Sequence, residues 1–145
     1  MSKKAAFFAI LLVLLPAQGI FALDGVQRAE LKNPRLVNSF DEVITQNINT
    51  NQQIQISSDV TNKQDKPQTF VYIVQILDKN KVSQKLVWIS ASLNPQQTLS
   101  PAISWATQQP GTYTAEIYVW DSVKDASALT PPYMEIGRAS CRERV

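Results

Sequence analysis

From Thr112 to Trp120 the side chains change character at every step, directly after the dipeptide Pro110-Gly111. Proline presets φ and glycine accepts φ > 0, so the dipeptide signals a turn. Beyond it Tyr113, Ala115, Ile117 and Val119 fall on one side of an extended chain, and Thr112, Thr114, Glu116 and Tyr118 on the other. A period of two, rich in β-branched and aromatic residues, predicts a half-buried β-strand. A helix would scatter the same residues around its circumference.

The same period recurs upstream. Gln53 to Thr61 alternates Ile54, Ile56, Ser58 and Val60 against Gln53, Gln55, Ser57 and Asp59. Thr69 to Leu77 is apolar on both parities, which predicts a central strand covered on both faces, with Phe70, Tyr72, Val74 and Ile76 toward the main core. Asp78-Lys-Asn-Lys81 then predicts a hairpin into Val82 through Ser90. Thr98 to Trp105 places Leu99 and Ile103 on one face, and Pro101 marks an edge position. A first strand is expected over Arg35–Phe40, after Pro34, with loop from Asp41 to Asn51 and a short strand at Val43-Ile44 within it. Asn62 to Pro67 and Asp121 to Ser127 read as polar turns. A last strand begins near Ala128 and is cut short. About seven short strands with turn signals between them, and no helical amphipathic pattern, predict an all-β antiparallel sandwich; a small barrel is the competing architecture.

Both ends of the chain stand apart. Lys3 and Lys4 precede the apolar run Ala5–Leu15, then Pro16 and small residues, the three regions of a secretory signal. Cleavage is expected after Ala22, with Gly19 as the alternative site. An uncleaved anchor is the competing reading, because Ala5–Leu23 is uncharged and approaches the ~20 residues of a spanning helix; Pro16 and Gln18 interrupt it. At the other end, Glu135-Ile-Gly-Arg-Ala-Ser-Cys-Arg-Glu-Arg-Val145 crowds three arginines into the last eight residues. Its back-translation matches a read-through of a common short-read sequencing adapter, so residues 135–145 are read as a non-native tail. The organisation expected is a signal peptide (1–22), a lead-in with the first strand (23–51), a sandwich core (52–134) and the tail.

Between Leu23 and Met134 nine Lys or Arg face ten Asp or Glu, a net charge of −1. The basic balance of the whole chain therefore belongs to its two ends and does not predict nucleic-acid binding, which needs a clustered basic face. The single cysteine, Cys141, lies in the tail, so the domain is expected to stand on its core alone, without a disulfide.

Histidine is absent. That removes His-based acid–base catalysis, Ser–His triads and the usual zinc and copper sites. Asp121 with Asp125, and Asp41 with Glu42, are the carboxylate pairs a Ca²⁺ site could draw on, but neither fits a defined loop motif. No catalytic residue, metal ligand or cofactor is implied, and the chain reads as non-enzymatic. The candidates for partner binding are aromatic. Tyr118 and Trp120 share the strand parity opposite the expected core face, and Trp88 is the third candidate; the competing reading is that the tryptophans pack in the core or at sheet edges. No Asn-x-Ser/Thr sequon is present.

Tyr113, just after the turn that opens its strand, resembles the tyrosine corner of Ig-like sandwiches, in which the ring covers the end of the core and the hydroxyl bonds to backbone a few residues upstream. Here that backbone would lie around Thr107–Gln109. The segments Phe70–Asp78, Trp88–Ser90, Leu99–Trp105, Pro110–Trp120 and Ala128–Pro132 together resemble a recurring Ig-like module of secreted and surface proteins of ammonia-oxidising archaea. They are similar in general pattern to domains of the CARDB and fibronectin type III kind. The resemblance covers roughly Gln52 to Pro132. It implies an extracellular β-sandwich, commonly part of a larger protein, with no catalytic residues. The partner expected is a protein or glycan at the cell surface, with no nucleic acid and no stable membrane span after signal cleavage. An accessory carbohydrate-binding module using surface aromatics is the alternative.

Overall fold

The computed structural model describes residues 25–45 and 48–135. The expected signal peptide and its cleavage site, and the tail beyond Glu135 with Cys141, lie outside the described residues. The alternating stretches form eight strands: β1 (Ala29–Val37), β2 (Ile54–Asn62), β3 (Gln68–Leu77), β4 (Ser83–Leu93), β5 (Thr98–Leu99), β6 (Ala102–Trp105), β7 (Thr114–Trp120) and β8 (Tyr133–Glu135). Strands β5 and β6 are two pieces of one run. Both pair with β2, and the break falls at Ser100-Pro101, where proline has no N–H to give the ladder. The molecule is thus an all-β antiparallel sandwich of about seven strand positions. One antiparallel sheet has the order β1-β2-β5/β6, and the other β4-β3-β7-β8.

Strand β3 is central, as its two-sided apolar pattern requires. It pairs with β4 along one flank and β7 along the other. Its inward residues Phe70, Tyr72, Val74 and Ile76 meet Ile54, Ile56, Val60, Ile103 and Trp105 of the opposite sheet, with Ile117 and Val119 beside them in one apolar cluster. Val71 and Ile73, on the outer parity, are buried too. Neighbours on the outer sheet face cover them.

The first strand departs from expectation. It begins at Ala29, not at Arg35, and ends before Phe40. Pro34 is held inside it because β1 is an edge strand whose register shifts between Lys32 and Arg35, and an edge tolerates proline at a bulge. Asp59 on β2 ties the irregularity down: it accepts hydrogen bonds from Asn33 Nδ2 (2.8 Å), Arg35 (3.0 Å) and Ser100 Oγ (2.7 Å). One carboxylate so anchors both the β1 bulge and the β5–β6 break. The Asn33 and Ser100 hydrogen bonds, with Arg35, hold its carboxyl below the usual carboxylate range. Phe40 stands 84 % exposed in the turn after β1, whose backbone N–H groups at Phe40 and Glu42 donate to Asn38 Oδ1. The strand expected at Val43-Ile44 is a single bridge from Val43 to Val37. Leu99 pairs with Val60 but remains 40 % exposed, since β5 lies at the sheet edge. Among the described residues the last strand spans Tyr133–Glu135. Glu135 already lies opposite Ala115, near the beginning of β7, whereas Pro131 and Pro132 interrupt the ladder between the Trp120–Ala128 bridge and Tyr133.

A buried polar pair bridges the two sheets. Ser58 Oγ donates to the Tyr72 hydroxyl at 2.9 Å, joining the two sheets, and both residues are fully buried. Burial pushes the Tyr72 phenol up to about 12 from an ordinary 10.0, although the Ser58 bond opposes the shift. The folded state therefore keeps a proton that the unfolded state loses first. Stability is undiminished by this group below pH ~10 and falls as pH rises toward ~12, by on the order of 2–3 kcal/mol. Denaturation midpoints measured through this alkaline window should show the loss, and Tyr72→Phe should flatten it.

Candidate functional site

On the four-stranded sheet, the side chains facing away from the core line up in rows across the strands. Trp88 of β4 lies opposite Ile73 of β3, and Ile73 opposite Tyr118 of β7. The next row is Ser90, Val71 and Trp120; the row on the other side is Leu86, Gln75 and Glu116. All three aromatic candidates therefore share one sheet face. Period-two parity placed Tyr118 and Trp120 there together. Trp88 joins them only because the β3–β4 register sets it level with Ile73.

The three differ in exposure. Trp88 is 50 % exposed and Leu86 53 %. Tyr118 and Trp120 are half-buried; they stand level with the buried Ile73 and Val71 of the central strand. Their rings meet at 6.0 Å and 59°, so the pair is ridged, not a flat platform. The Tyr118 hydroxyl donates to Glu116 Oε2 at 2.8 Å. Burial first, and then the Glu116 carboxylate, push this phenol upward. Glu116 is the one charged side chain in these rows; Gln75 and Ser90 supply an amide and a hydroxyl. The face is apolar at its centre and polar at its margin, with a single negative charge. It can stack and hydrogen-bond. It offers no nucleophile paired with a base.

Trp105 is not on this face. It is buried in the core and meets Tyr113 edge-on, at 5.0 Å between ring centroids and an angle of 68°. The Tyr113 hydroxyl donates to Gln109 O at 2.9 Å, inside the expected span, and lies 3.0 Å from Thr107 Oγ1. Thr107 Oγ1 also accepts from Gln109 N at 3.2 Å. Side-chain bonds, not a left-handed glycine, shape this corner: Gly111 is close to extended, with φ of 159°.

Of the two carboxylate pairs, Asp121, Asp125 and Glu42 are taken up in local structure. Asp121 Oδ1 accepts the backbone N–H groups of Ser122 and Ser127, and Asp125 Oδ2 accepts from Ser122 Oγ, closing the β7–β8 loop. Glu42 is bonded by Asn38 Nδ2 at 2.7 Å. Among the described residues no group of three or more His, Cys, Asp or Glu gathers as a metal site would need. An open, mostly apolar cleft of about 270 Å³ lies between β1 and the segment before β8, lined by Ala29, Leu31, Pro131, Pro132 and Tyr133. Glu30 at its rim is engaged by Lys32 at 3.1 Å.

One residue of consequence was hidden in a stretch that reads as a turn. Asn62 is 1 % exposed. Its Nδ2 lies 2.8 Å from Lys66 O, 3.1 Å from Leu93 O and 3.3 Å from Asn94 O, and its Oδ1 accepts from Gln64 N at 3.0 Å. Its backbone donates to Gln97 O and accepts from Gln96 N. It clamps together two of the three connections that cross between the sheets, β2 to β3 and β4 to β5. The available signal was parity, since Asn62 continues the inward series Ile54, Ile56, Ser58 and Val60.

Fold and face together define a β-sandwich module whose distinctive surface is aromatic. No protein-family model matches the chain, and no curated protein does. Among the described residues no helix is long and apolar enough to cross a membrane.

Proposed function

We propose that the chain is a secreted, non-enzymatic Ig-like module of the cell envelope, part of a larger protein, that acts by interaction through the outer face of its four-stranded sheet. The alignment of Trp88, Ile73 and Tyr118 in one row, with Trp120 in the next, carries this reading. Aromatic side chains that keep an apolar body partly exposed are suited to anchoring a partner. Export rests on Lys3-Lys4 and the apolar run after them. Immobilised module should retain an envelope component, and Trp88→Ala should weaken that retention at least ~10-fold, as truncation of an aromatic anchor does. Trp88 is half exposed, so the variant keeps its fold by circular dichroism. Unchanged retention by a folded Trp88→Ala would remove the face from the function.

A second reading takes a neutral glycan as the partner. Gln75, Glu116 and Ser90 favour it, because they set an amide, a carboxylate and a hydroxyl beside the aromatic rings, without a cation. The tilt between Tyr118 and Trp120 leaves Trp88 as the main stacking surface. Titration with neutral oligosaccharides, followed by tryptophan fluorescence, separates this reading from a protein partner.

A further inference from the structure

Among the described residues the sandwich has four sheet edges, and three of them carry devices that discourage pairing. Strand β1 is bulged at Asn33-Pro34 and carries Glu30, Lys32 and Arg35. The β5/β6 edge is broken at Ser100-Pro101. Strand β8 follows directly on Pro131-Pro132. Proline, charge, bulges and shortness are the usual protections of an edge.

Strand β4 has almost none of them. It runs eleven residues, Ser83–Leu93, as Ser-Gln-Lys-Leu-Val-Trp-Ile-Ser-Ala-Ser-Leu. It contains no proline and one charge, Lys85. Its irregularity falls at the end, opposite Ile76 and Leu77. Among the described residues β4 pairs with β3 alone, at the end of its sheet. Leu86 and Trp88 are half exposed, and Ile89 is 37 % exposed although it faces inward. A long, regular, apolar edge of this kind is a template for another strand.

We infer that β4 pairs antiparallel with β4 of a second copy about a two-fold axis at Trp88, making a homodimer with one continuous eight-stranded sheet. The strand's own sequence selects this occupant and this register. Trp88 is the midpoint of Ser83–Leu93, so centring there overlaps all eleven residues. It sets Trp88 against its counterpart, Val87 against Ile89, Leu86 against Ser90 and Lys85 against Ala91. Aromatic and β-branched cross-strand pairs are the favourable ones. The two Lys85 side chains then lie six residues apart along the strand, about 20 Å. That exceeds the screening length of ~8–10 Å at ordinary ionic strength, so the strand's one charge does not oppose its own copy. The interface is isologous and closes at two subunits. It would also join two outer aromatic faces into one; pairing itself does not depend on what that face binds.

Sedimentation equilibrium of the exported chain, with reductant present so that Cys141 cannot link copies, tests this. A dimer is expected at ~100 µM, a concentration at which a contact of micromolar affinity is filled. Trp88→Lys and Trp88→Glu each place like charges across the axis, and each is expected to be monomeric and folded. An equimolar mixture of the two restores the dimer, because opposite charges then face each other. Independently of any variant, amides of Lys85–Ala91 in the wild-type chain should gain hydrogen-exchange protection as concentration rises. A monomeric wild type, a dimer of either variant alone, a mixture that stays monomeric, or protection of β4 that ignores concentration would each overturn the proposal.

Discussion

Tyr113→Ala should destabilise the fold by about 3–5 kcal/mol, the range for truncating a large buried aromatic side chain. The ring is buried and supports Trp105 edge-on, so its removal also strips Trp105 of a contact worth ~0.5–1.5 kcal/mol beyond area alone. Tyr113→Phe keeps the ring and that contact. It loses the hydroxyl's bond to Gln109 O, so about 1 kcal/mol is expected. Thr107 Oγ1 retains Gln109 as a partner in that variant, which limits the damage. With no disulfide available to this domain and total stability of ~5–15 kcal/mol typical, the alanine variant sits near the limit of folding. Equilibrium urea denaturation of both variants measures the difference. A midpoint for Tyr113→Ala close to wild type would mean that the ring does not close the end of the core.

The second large effect is expected at Asn62. Its amide spreads two hydrogens over three carbonyls, and its oxygen holds the Gln64 N–H, all in a buried place. Asn62→Ala loses these bonds, each worth about 1 kcal/mol net, and leaves buried carbonyls without a donor at a further ~1–3 kcal/mol. Some of these carbonyls regain water at the turns, so about 3–4 kcal/mol in total is the expectation. Asn62→Asp preserves the shape but turns a carboxylate toward the carbonyls. Burial and those carbonyls raise its folded pKa above the unfolded value of ~3.9. Its stability is therefore greatest below that value and falls as pH rises, until at neutral pH the variant is at least as weak as Asn62→Ala. Denaturation at acidic and neutral pH shows whether the two variants diverge as stated.

Tyr113 and Asn62 illustrate how far local pattern reaches. Tyr113 was legible because the corner is a local motif: its bonding partners lie four and six residues upstream, in the same turn. Asn62 was not, because two of its acceptors, Leu93 and Asn94, are 31 and 32 residues away on another connection. A polar residue in a polar run looks solvated until the second connection is laid over it. The aromatic face divides in the same way. The parity of Tyr118 and Trp120 follows from their own strand, whereas Trp88 enters the face through the register of β3 with β4. Pro34 misplaced the first strand because the sequence marks a break in pairing without telling an edge bulge from a strand boundary.

The order of alternating stretches, the inward set Phe70, Tyr72, Val74 and Ile76, and the sandwich class follow from the chain's local pattern. Side-chain parity and turn chemistry are settled within a few residues. Sheet membership, the pairing of β2 with both β5 and β6, and the exposure of β4 as an edge belong to the assembled molecule. They depend on which strands lie side by side, and that is decided by burying all the inward faces in one core while every connection crosses without leaving a buried polar group unpaired. The clamp at Asn62 and the unprotected edge at β4 are both consequences of that arrangement: one residue drawn in between two crossings, and one regular strand left at the margin of the sheet.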